Sequence, residues 1–289
     1  TDGLLGFWRH CLTPPSLSGV ADPGAARAAG GAFRARRAFF VDDKDKPLPV
    51  ETAPDSGSSA TLTPPGLESH LVSTEWLAER LEDRKVKIID VRTKSKSYST
   101  AHIPGALYLN VENLRTTIDG YHSMLAPADD IATALGRLGI ERSDTVIVYD
   151  DRLRDATLMA VALERVGHKS FAVLHGGYPQ WVKEGRPVTS GVPAVESVRY
   201  KARGRDRFTV DTDDVYKAVK KGKATVLDVR PAAYFTGEKS DEARPGHIPG
   251  AVNRPYEADV APDSAAWIDE STLRDAYRSL GVEANRDPG

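Results

Sequence analysis

The chain has 289 residues, which is enough for about two domains of ordinary size. Its apolar fraction of 40% and charged fraction of 28% are typical of a globular protein, and its net charge of −2 argues against nucleic acid as the main ligand. No apolar run approaches the roughly 18 residues of a membrane-spanning helix. Cys11 is the only cysteine, which excludes an intrachain disulfide and a cysteine-rich zinc site.

Residues 1–70 are predicted to form an extended arm rather than a domain. Ala, Gly, Pro and Ser dominate it, and this composition buries too little apolar surface to offset the entropy of ordering. Four arginines resemble the tail of a mitochondrial transit peptide, namely Arg27, Arg34, Arg36 and Arg37. The apolar clusters 4–8 and 38–41 are expected to dock on protein subunits of a larger assembly. We therefore predict a mitochondrial location and partner binding through the arm, with an unstructured leader or linker as the alternative.

From Leu71 onward, short apolar strands alternate with helices. Ser73 is expected to cap a helix. Strands rich in β-branched residues are predicted over 86–91, 106–109, 145–149 and 170–174. Helices are predicted over 127–138 and 156–166, and a short one from Gly176. This alternation predicts an α/β domain over residues 71–190, with a parallel sheet flanked by helices.

The same kind of pattern returns after a gap. Residues 191–206 are predicted to be a linker, because they combine Pro, Gly and charged residues. A capped helix near residues 210–215, a strand over 224–229 and a helix over 271–280 follow. The sequence therefore predicts a second α/β domain over residues 207–289.

Two short motifs occur once in each predicted domain. An aliphatic-Asp-Val-Arg strand contains Asp90 and returns 138 residues later at Asp228. A His-Ile-Pro-Gly-Ala turn begins at His102 and returns 145 residues later at His247. Offsets this long exceed the roughly 20–50 residues of a solenoid unit. They indicate two tandem copies of one domain.

The residue types of both motifs favour a structural role over a catalytic one. Asp90 and Asp228 follow strands, where a carboxylate accepts hydrogen bonds from loop amides or from an arginine, and Arg92 and Arg230 are the expected partners. Pro fixes φ in the turn, and Gly permits a positive φ. Two histidines this far apart make no catalytic dyad.

Together with Leu174-His-Gly-Gly-Tyr-Pro-Gln-Trp181, which is similar to the pattern L-x-G-G-[FY]-x-x-W, these motifs resemble the tandem rhodanese family of thiosulfate and 3-mercaptopyruvate sulfurtransferases. The resemblance covers residues 71–289. It implies two rhodanese-like domains, sulfur carried as a cysteine persulfide, no metal and no cofactor. It also implies that His102 and His247 shape the motif and are not general bases.

In this family the nucleophilic cysteine lies on a six-residue loop between a strand and a helix, where backbone N–H groups cradle the anionic sulfur. In the first copy, this loop contains no cysteine and consists of Asp150, Asp151, Arg152, Leu153, Arg154 and Asp155. A carboxylate can occupy the cradle but cannot carry sulfur. We therefore expect a degenerate, inactive first domain, and the resemblance gives no role to Cys11, which lies in the arm.

In the second copy, aligning Gly139 with Gly281 puts the equivalent of Asp150 at about position 292. The second domain is therefore expected to be represented by its N-terminal part, with no catalytic residue in the printed chain. Two functions remain open. The chain is a non-catalytic rhodanese-like subunit anchored by its arm, or it belongs to an active sulfurtransferase whose cysteine loop lies beyond Gly289. In the second case, Arg230 and the region of Arg244 and His247 would line the approach to the cleft. A related phosphatase would need a Cys-x5-Arg loop, which the sequence lacks.

Overall fold

The computed structural model describes residues 70–282, except 119, 205–208, 223, 242–243 and 263, together with the backbone strand 37–39. The strands are β1 (Arg37–Phe39), β2 (Leu71–Val72), β3 (Val86–Asp90), β4 (Leu107–Tyr108), β5 (Arg115–Ile118), β6 (Tyr121–Leu125), β7 (Thr145–Tyr149), β8 (Phe171–Leu174), β9 (Thr209–Asp211), β10 (Leu227–Asp228) and β11 (Val252–Asn253). The helices are α1 (Thr74–Ala78), α2 (Ser95–Thr100), α3 (Ala128–Arg137), α4 (Arg154–Arg165), α5 (Gly177–Lys183), α6 (Thr212–Lys221), α7 (Ala232–Thr236) and α8 (Glu270–Ser279). Single 3-10 helices span Val111–Leu114 and Tyr256–Asp259.

The first repeat, residues 71–190, is built on a parallel sheet with the strand order β2-β8-β7-β3-β4. Its central strands are apolar runs buried on both faces, as expected where helices cover both sides of a parallel sheet. Leu135 of α3 and Met159 of α4 belong to the core on one face, and Leu77 of α1 and Trp181 of α5 belong to the core on the other. The predicted α/β fold, with a parallel sheet flanked by helices, is confirmed.

Most predicted elements of the first repeat are present with small shifts at their ends. The strand over 145–149 is found as predicted, and the N-cap is confirmed because the Ser73 hydroxyl accepts a hydrogen bond from the Trp76 amide at 3.1 Å. The sequence does not predict α2 or the antiparallel hairpin β5–β6, which begins directly after the 3-10 helix at Leu114. The hairpin strands carry no signal in the sequence, because polar and apolar residues do not alternate along them.

In the second repeat, residues 207–289, the described elements follow the same order as in the first. Asp211 caps α6, and α8 begins after the cap Asp269. The strand predicted over 224–229 is shorter and pairs in parallel with β11 over two residues. Core residues of this repeat, among them Val229, Ala265 and Leu273, join the apolar cluster that packs on α3 and α4.

The segment predicted as a linker lies against the first repeat over its described residues 191–204. The Val198 amide donates to the Gly136 carbonyl at 2.8 Å, and the Arg203 amide donates to the Val166 carbonyl at 2.9 Å. Tyr200 is buried beside His168. These contacts attach the segment to the ends of α3 and α4.

Of the predicted arm, the structure describes His70 and β1, which pairs antiparallel with β9 of the same chain. The remaining residues up to 69 lie outside the described residues, including Cys11 and three of the four transit-like arginines, Arg27, Arg34 and Arg36. Attachment of the arm to other subunits therefore stays a prediction. Within the described parts of the chain, no helix is long and apolar enough to cross a bilayer.

The packing of the linker segment predicts that Gly204→Ala destabilises the chain. A Cβ at this position would lie 1.9 Å from the Arg165 carbonyl oxygen, and such overpacking costs about 1–3 kcal/mol. Urea unfolding followed by tryptophan fluorescence should give a lower midpoint for the variant. Gly191→Ala is the matched control, because its Cβ would meet only the Thr189 hydroxyl at 3.4 Å. Equal midpoints for the two variants would contradict the prediction.

Candidate functional site

The candidate site lies at the carboxyl end of the first-repeat sheet, where Asp90 and Arg92 form a buried ion pair. The Arg92 Nε lies 3.0 and 2.9 Å from the two carboxylate oxygens of Asp90, and Nη2 lies 2.6 Å from Oδ2. Asp90 is fully buried and Arg92 is 5% exposed. The predicted pairing therefore forms, with the bidentate geometry that makes arginine–carboxylate contacts strong.

Aromatic side chains enclose this pair. The Tyr149 hydroxyl donates to Asp90 Oδ2 at 2.8 Å, and the Arg92 guanidinium stacks 4.0 Å from the centre of the Tyr178 ring. Burial raises the pKa of Tyr149 well above its ordinary value, and the negative charge of Asp90 adds to this effect. Burial acts to lower the pKa of Arg92, but the hydrogen bonds and charge of Asp90 outweigh it and raise that pKa. Tyr149 is thus held as a neutral donor and Arg92 as a cation.

The His-Ile-Pro-Gly turn is fastened to the same pair. Arg92 Nη2 donates to the Ala101 carbonyl at 2.7 Å. His102 is fully buried, its ring stacks on Tyr98, and its two ring nitrogens face the carbonyl oxygens of Tyr98 at 2.7 Å and Gly191 at 3.1 Å. No ring nitrogen of His102 is left for a substrate. The geometry agrees with the structural role that the family resemblance implies.

The second repeat reproduces this arrangement in a more exposed form. Arg230 pairs with Asp228 at 2.6 Å and donates to the Gly246 carbonyl at 2.8 Å. The His247 ring stacks on Phe235 and its Nδ1 faces the Phe235 carbonyl at 2.7 Å. His247 is exposed, whereas its counterpart in the first repeat is fully buried. The two motif sets are equivalent in geometry, but within the described contacts they do not touch each other.

The loop Asp150–Asp155 of the first repeat folds around the side chain of its own first residue. One oxygen of the Asp150 carboxylate accepts from the amides of Arg152 at 3.1 Å and Leu153 at 2.5 Å. The other accepts from the amides of Asp155 at 2.8 Å and Ala156 at 3.1 Å, at the start of α4. Leu153 is buried with a φ of 72°, which turns its amide toward the carboxylate. An anion cradle is present, and a carboxylate fills it.

The remaining loop residues point elsewhere. Asp151 is exposed and lies 4.0 Å from the Arg92 guanidinium. Arg152 is exposed, and Arg154 pairs with Asp155 at 3.1 Å. Burial raises the pKa of Asp150 to about 6, although the backbone N–H groups of Ala156 and Leu153 oppose this rise.

The structure thus gathers Asp90, Arg92 and the loop Asp150–Asp155 at the carboxyl end of the sheet. It adds Tyr149, which belongs to none of the motifs, and it brings Tyr178 of the Gly-Gly-Tyr motif onto Arg92. The position of Tyr149 at the end of the strongest predicted strand was the available signal. Among the described residues, no cluster of His, Cys, Asp and Glu has the arrangement of a metal site.

The buried ion pair predicts that Arg92→Ala is strongly destabilising. Removing Arg92 leaves the fully buried Asp90 without its cation, and breaking a buried pair costs about 3–5 kcal/mol. Arg230→Ala should cost less, because the Arg230 side chain is 22% exposed and water replaces part of the interaction. Chemical denaturation of both variants measures the difference. Equal losses of unfolding free energy in the two variants would show that burial does not determine how much each ion pair stabilises the fold.

The environment of Asp150 predicts a stability term that depends on pH. Its folded-state pKa of about 6 lies above the ordinary value of 3.8, so the folded chain holds an extra proton between these values. The contribution of Asp150 to the free energy of unfolding is therefore present below about pH 4 and lost as pH rises through about 6. The difference should approach about 3 kcal/mol relative to Asp150→Asn, which has no such proton. The free energy of unfolding of both proteins is measured by chemical denaturation at several pH values in this range. If it changes with pH in the same way for both, the assignment is refuted.

Comparison with known proteins identifies the fold around this site. The family model of the rhodanese-like domain matches residues 73–184. A Thermus thermophilus sulfur carrier protein, TtuD, is 35% identical over 230 residues, which cover 75% of this chain and 80% of the relative. The Gallus gallus thiosulfate sulfurtransferase is 34% identical over 203 residues, which cover 64% of this chain and 70% of the relative.

Other relatives differ in how much of their length is matched. A candidate thiosulfate sulfurtransferase of Synechococcus elongatus is 38% identical over 187 residues, and the chain spans 58% of its length. The crystal structure of SseA from Escherichia coli, a 3-mercaptopyruvate sulfurtransferase, superposes with a TM-score of 0.69 at 29% identity, covering 74% of this chain and 85% of that one. The chain therefore belongs to the rhodanese-like sulfurtransferase family, together with thiosulfate and 3-mercaptopyruvate sulfurtransferases.

Proposed function

We propose that this chain belongs to a sulfurtransferase in which the first repeat is non-catalytic and the second repeat carries the chemistry. The observation behind the proposal is the Asp150 carboxylate, which accepts four backbone N–H groups where the family holds anionic sulfur. Since oxygen in a carboxylate cannot form a persulfide, the first repeat has no sulfur carrier. The second repeat keeps the Asp228–Arg230 pair and the His247 turn, so its framework is intact over the described residues.

The reaction that this framework suits is transfer of sulfane sulfur from a small anion. With thiosulfate, a cysteine thiolate attacks the outer sulfur, a new S–S bond forms, the S–S bond of the donor breaks, and sulfite leaves with the electron pair. With 3-mercaptopyruvate, the thiolate attacks the thiol sulfur, the C–S bond breaks, and pyruvate leaves as its enolate with the electron pair. An acceptor then attacks the outer sulfur of the persulfide and restores the thiolate. The equivalent of Asp150 in the second repeat falls at about position 292, and we place the nucleophile there. Arg230 is bound to Asp228 and to the Gly246 carbonyl, so its role in the proposal is to fix the strand end.

The test is thiocyanate formation from thiosulfate and cyanide, with 3-mercaptopyruvate as the second donor. The 289-residue chain is expected to show no turnover above background, and the gene product extended past Gly289 is expected to be active. Substituting the cysteine in the loop near position 292 should abolish that activity. Turnover by the 289-residue chain that is lost in Cys11→Ser would overturn the proposal.

A second candidate is a non-catalytic subunit with a structural or accessory role. It is favoured by one fact, that Cys11 in the arm is the only thiol in the printed sequence. In this case residues 1–70 anchor the chain to protein subunits, and the arginine pattern at Arg27–Arg37 directs it to mitochondria. An extended gene product without a loop cysteine, inactive with both donors and recovered from mitochondria in a complex, would favour this candidate over the first.

A further inference from the structure

Residues 198–204, called the clamped segment below, are fastened to the first repeat around one buried histidine, His168. We propose that His168, Tyr200 and Arg142 form an acid-sensitive clamp, which releases this segment from the first repeat when the imidazole takes up a second proton. The proposal is independent of sulfur transfer, so its test needs no substrate. It rests on the hydrogen bonds of the ring, on its burial and on the cation beside it.

The ring of His168 lies between the turn before β7 and the clamped segment. Its Nε2 lies 2.9 Å from the Asp144 carbonyl oxygen, and its Nδ1 lies 2.9 Å from the Tyr200 hydroxyl. His168 is 3% exposed and Tyr200 is 8% exposed, so water has little access to either contact. The histidine side chain therefore connects the first repeat to the clamped segment directly.

The two partners of the ring fix its protonation state. A carbonyl oxygen can only accept a hydrogen bond, so Nε2 carries the hydrogen and donates to Asp144. Nδ1 of the neutral imidazole then has a lone pair, and the Tyr200 hydroxyl donates to it. A second proton would occupy Nδ1 and remove this acceptor. The donation from Tyr200 to His168 therefore exists only while the imidazole is neutral.

Arg142 is the third part of the clamp. Its guanidinium donates to the Gly167 carbonyl at 2.7 Å, directly before His168, and to the Lys201 carbonyl of the clamped segment at 3.3 Å. It also lies 5.7 Å from the centre of the Tyr200 ring. A protonated His168 would therefore lie beside a second cation, in a site where burial makes a charge costly.

The remaining groups that face the ring do not offset this cost. Burial lowers the pKa of His168 and the charge of Arg142 adds to the decrease, whereas the carbonyls of Asp144 and Ser170 and the Asp144 carboxylate oppose it. That carboxylate is already bound by the Glu141 amide at 2.8 Å. Since the pKa in the clamped state lies below the ordinary value of 6.5, the clamp is complete above this pH. Its contribution to stability is lost as pH falls through the lowered value.

Hydrogen exchange of the full chain at about pH 7.5 and about pH 5, corrected for the intrinsic exchange rates, tests the clamp. The reporters are the amides of Val198 and Arg203, which donate to carbonyls of the first repeat at 2.8 and 2.9 Å. Their protection should be lower by about fivefold or more at the acid pH, because protonation of His168 opens the clamp. Protection of β7, at the centre of the sheet, should stay the same.

Two variants separate the clamp from a general sensitivity to acid. His168→Gln has a polar side chain that does not titrate, so protection of the clamped segment should be equal at both pH values. Tyr200→Phe keeps the aromatic ring and removes the donor, so protection should already be low at about pH 7.5 and should match the unmodified chain at about pH 5. His122→Gln is the matched control, because it removes an exposed histidine of the hairpin β5–β6.

The proposal is overturned if the clamped segment of the unmodified chain keeps its protection at the acid pH. It is also overturned if the unmodified chain and His168→Gln lose protection equally on acidification, or if His122→Gln abolishes the pH dependence. If His168→Gln does not fold, Tyr200→Phe decides. A difference between Tyr200→Phe and the unmodified chain that is the same at both pH values, or absent at both, contradicts the clamp.

Discussion

The buried pair of Asp90 and Arg92 is the interaction on which the first repeat depends. Burying a carboxylate without a partner is expensive, and the structure satisfies this one with a bidentate guanidinium and a tyrosine hydroxyl from the neighbouring strand. The guanidinium in turn holds the Ala101 carbonyl, and so the turn that contains His102. One ion pair thereby links two strands, a turn and the edge of the degenerate loop. Its repetition at Asp228 and Arg230 shows that the frame is a property of the domain and not of one site.

The loop after β7 shows how a frame of this kind persists without its nucleophile. The backbone amides of such a loop need an anion, since N–H groups that converge in a buried site are costly when unpaired. Asp150 supplies a charge of the same sign as a thiolate from a side chain of similar reach. The loop therefore keeps its shape without a thiolate. The first repeat can therefore lack a sulfur nucleophile and keep the geometry of the loop, because the carboxylate supplies the negative charge that the loop amides require.

The two repeats differ in the side chains at one pair of equivalent buried positions. Leu114, at the end of the first 3-10 helix, and Leu135 of α3 are fully buried in the apolar core. The equivalent positions in the second repeat are Asp259 and Tyr277, whose hydroxyl donates to the carboxylate at 2.5 Å, while Arg254 donates to the same carboxylate at 2.6 Å. Burial raises the pKa of Asp259, although Tyr277 and Arg254 oppose this. A polar triad takes the place of two apolar side chains and ties the second 3-10 helix to α8.

The sequence by itself determined the α/β class, the duplication and the identity of the loop residues. These follow from local features, because a buried parallel strand is a continuous apolar run and a repeated motif is visible without a structure. The pairing of Asp90 with Arg92 was also predictable, since the two residues are neighbours along one strand end. Contacts between segments that are distant in the chain could not be predicted from the sequence. The donation from Tyr149 to Asp90 and the bridge from Gly176 to Ala265 join residues far apart in the chain, and no local pattern encodes them. Only the tertiary structure decided that core residues of the second repeat pack on α3 and α4 of the first, because an apolar face carries no local signal for the partner that covers it.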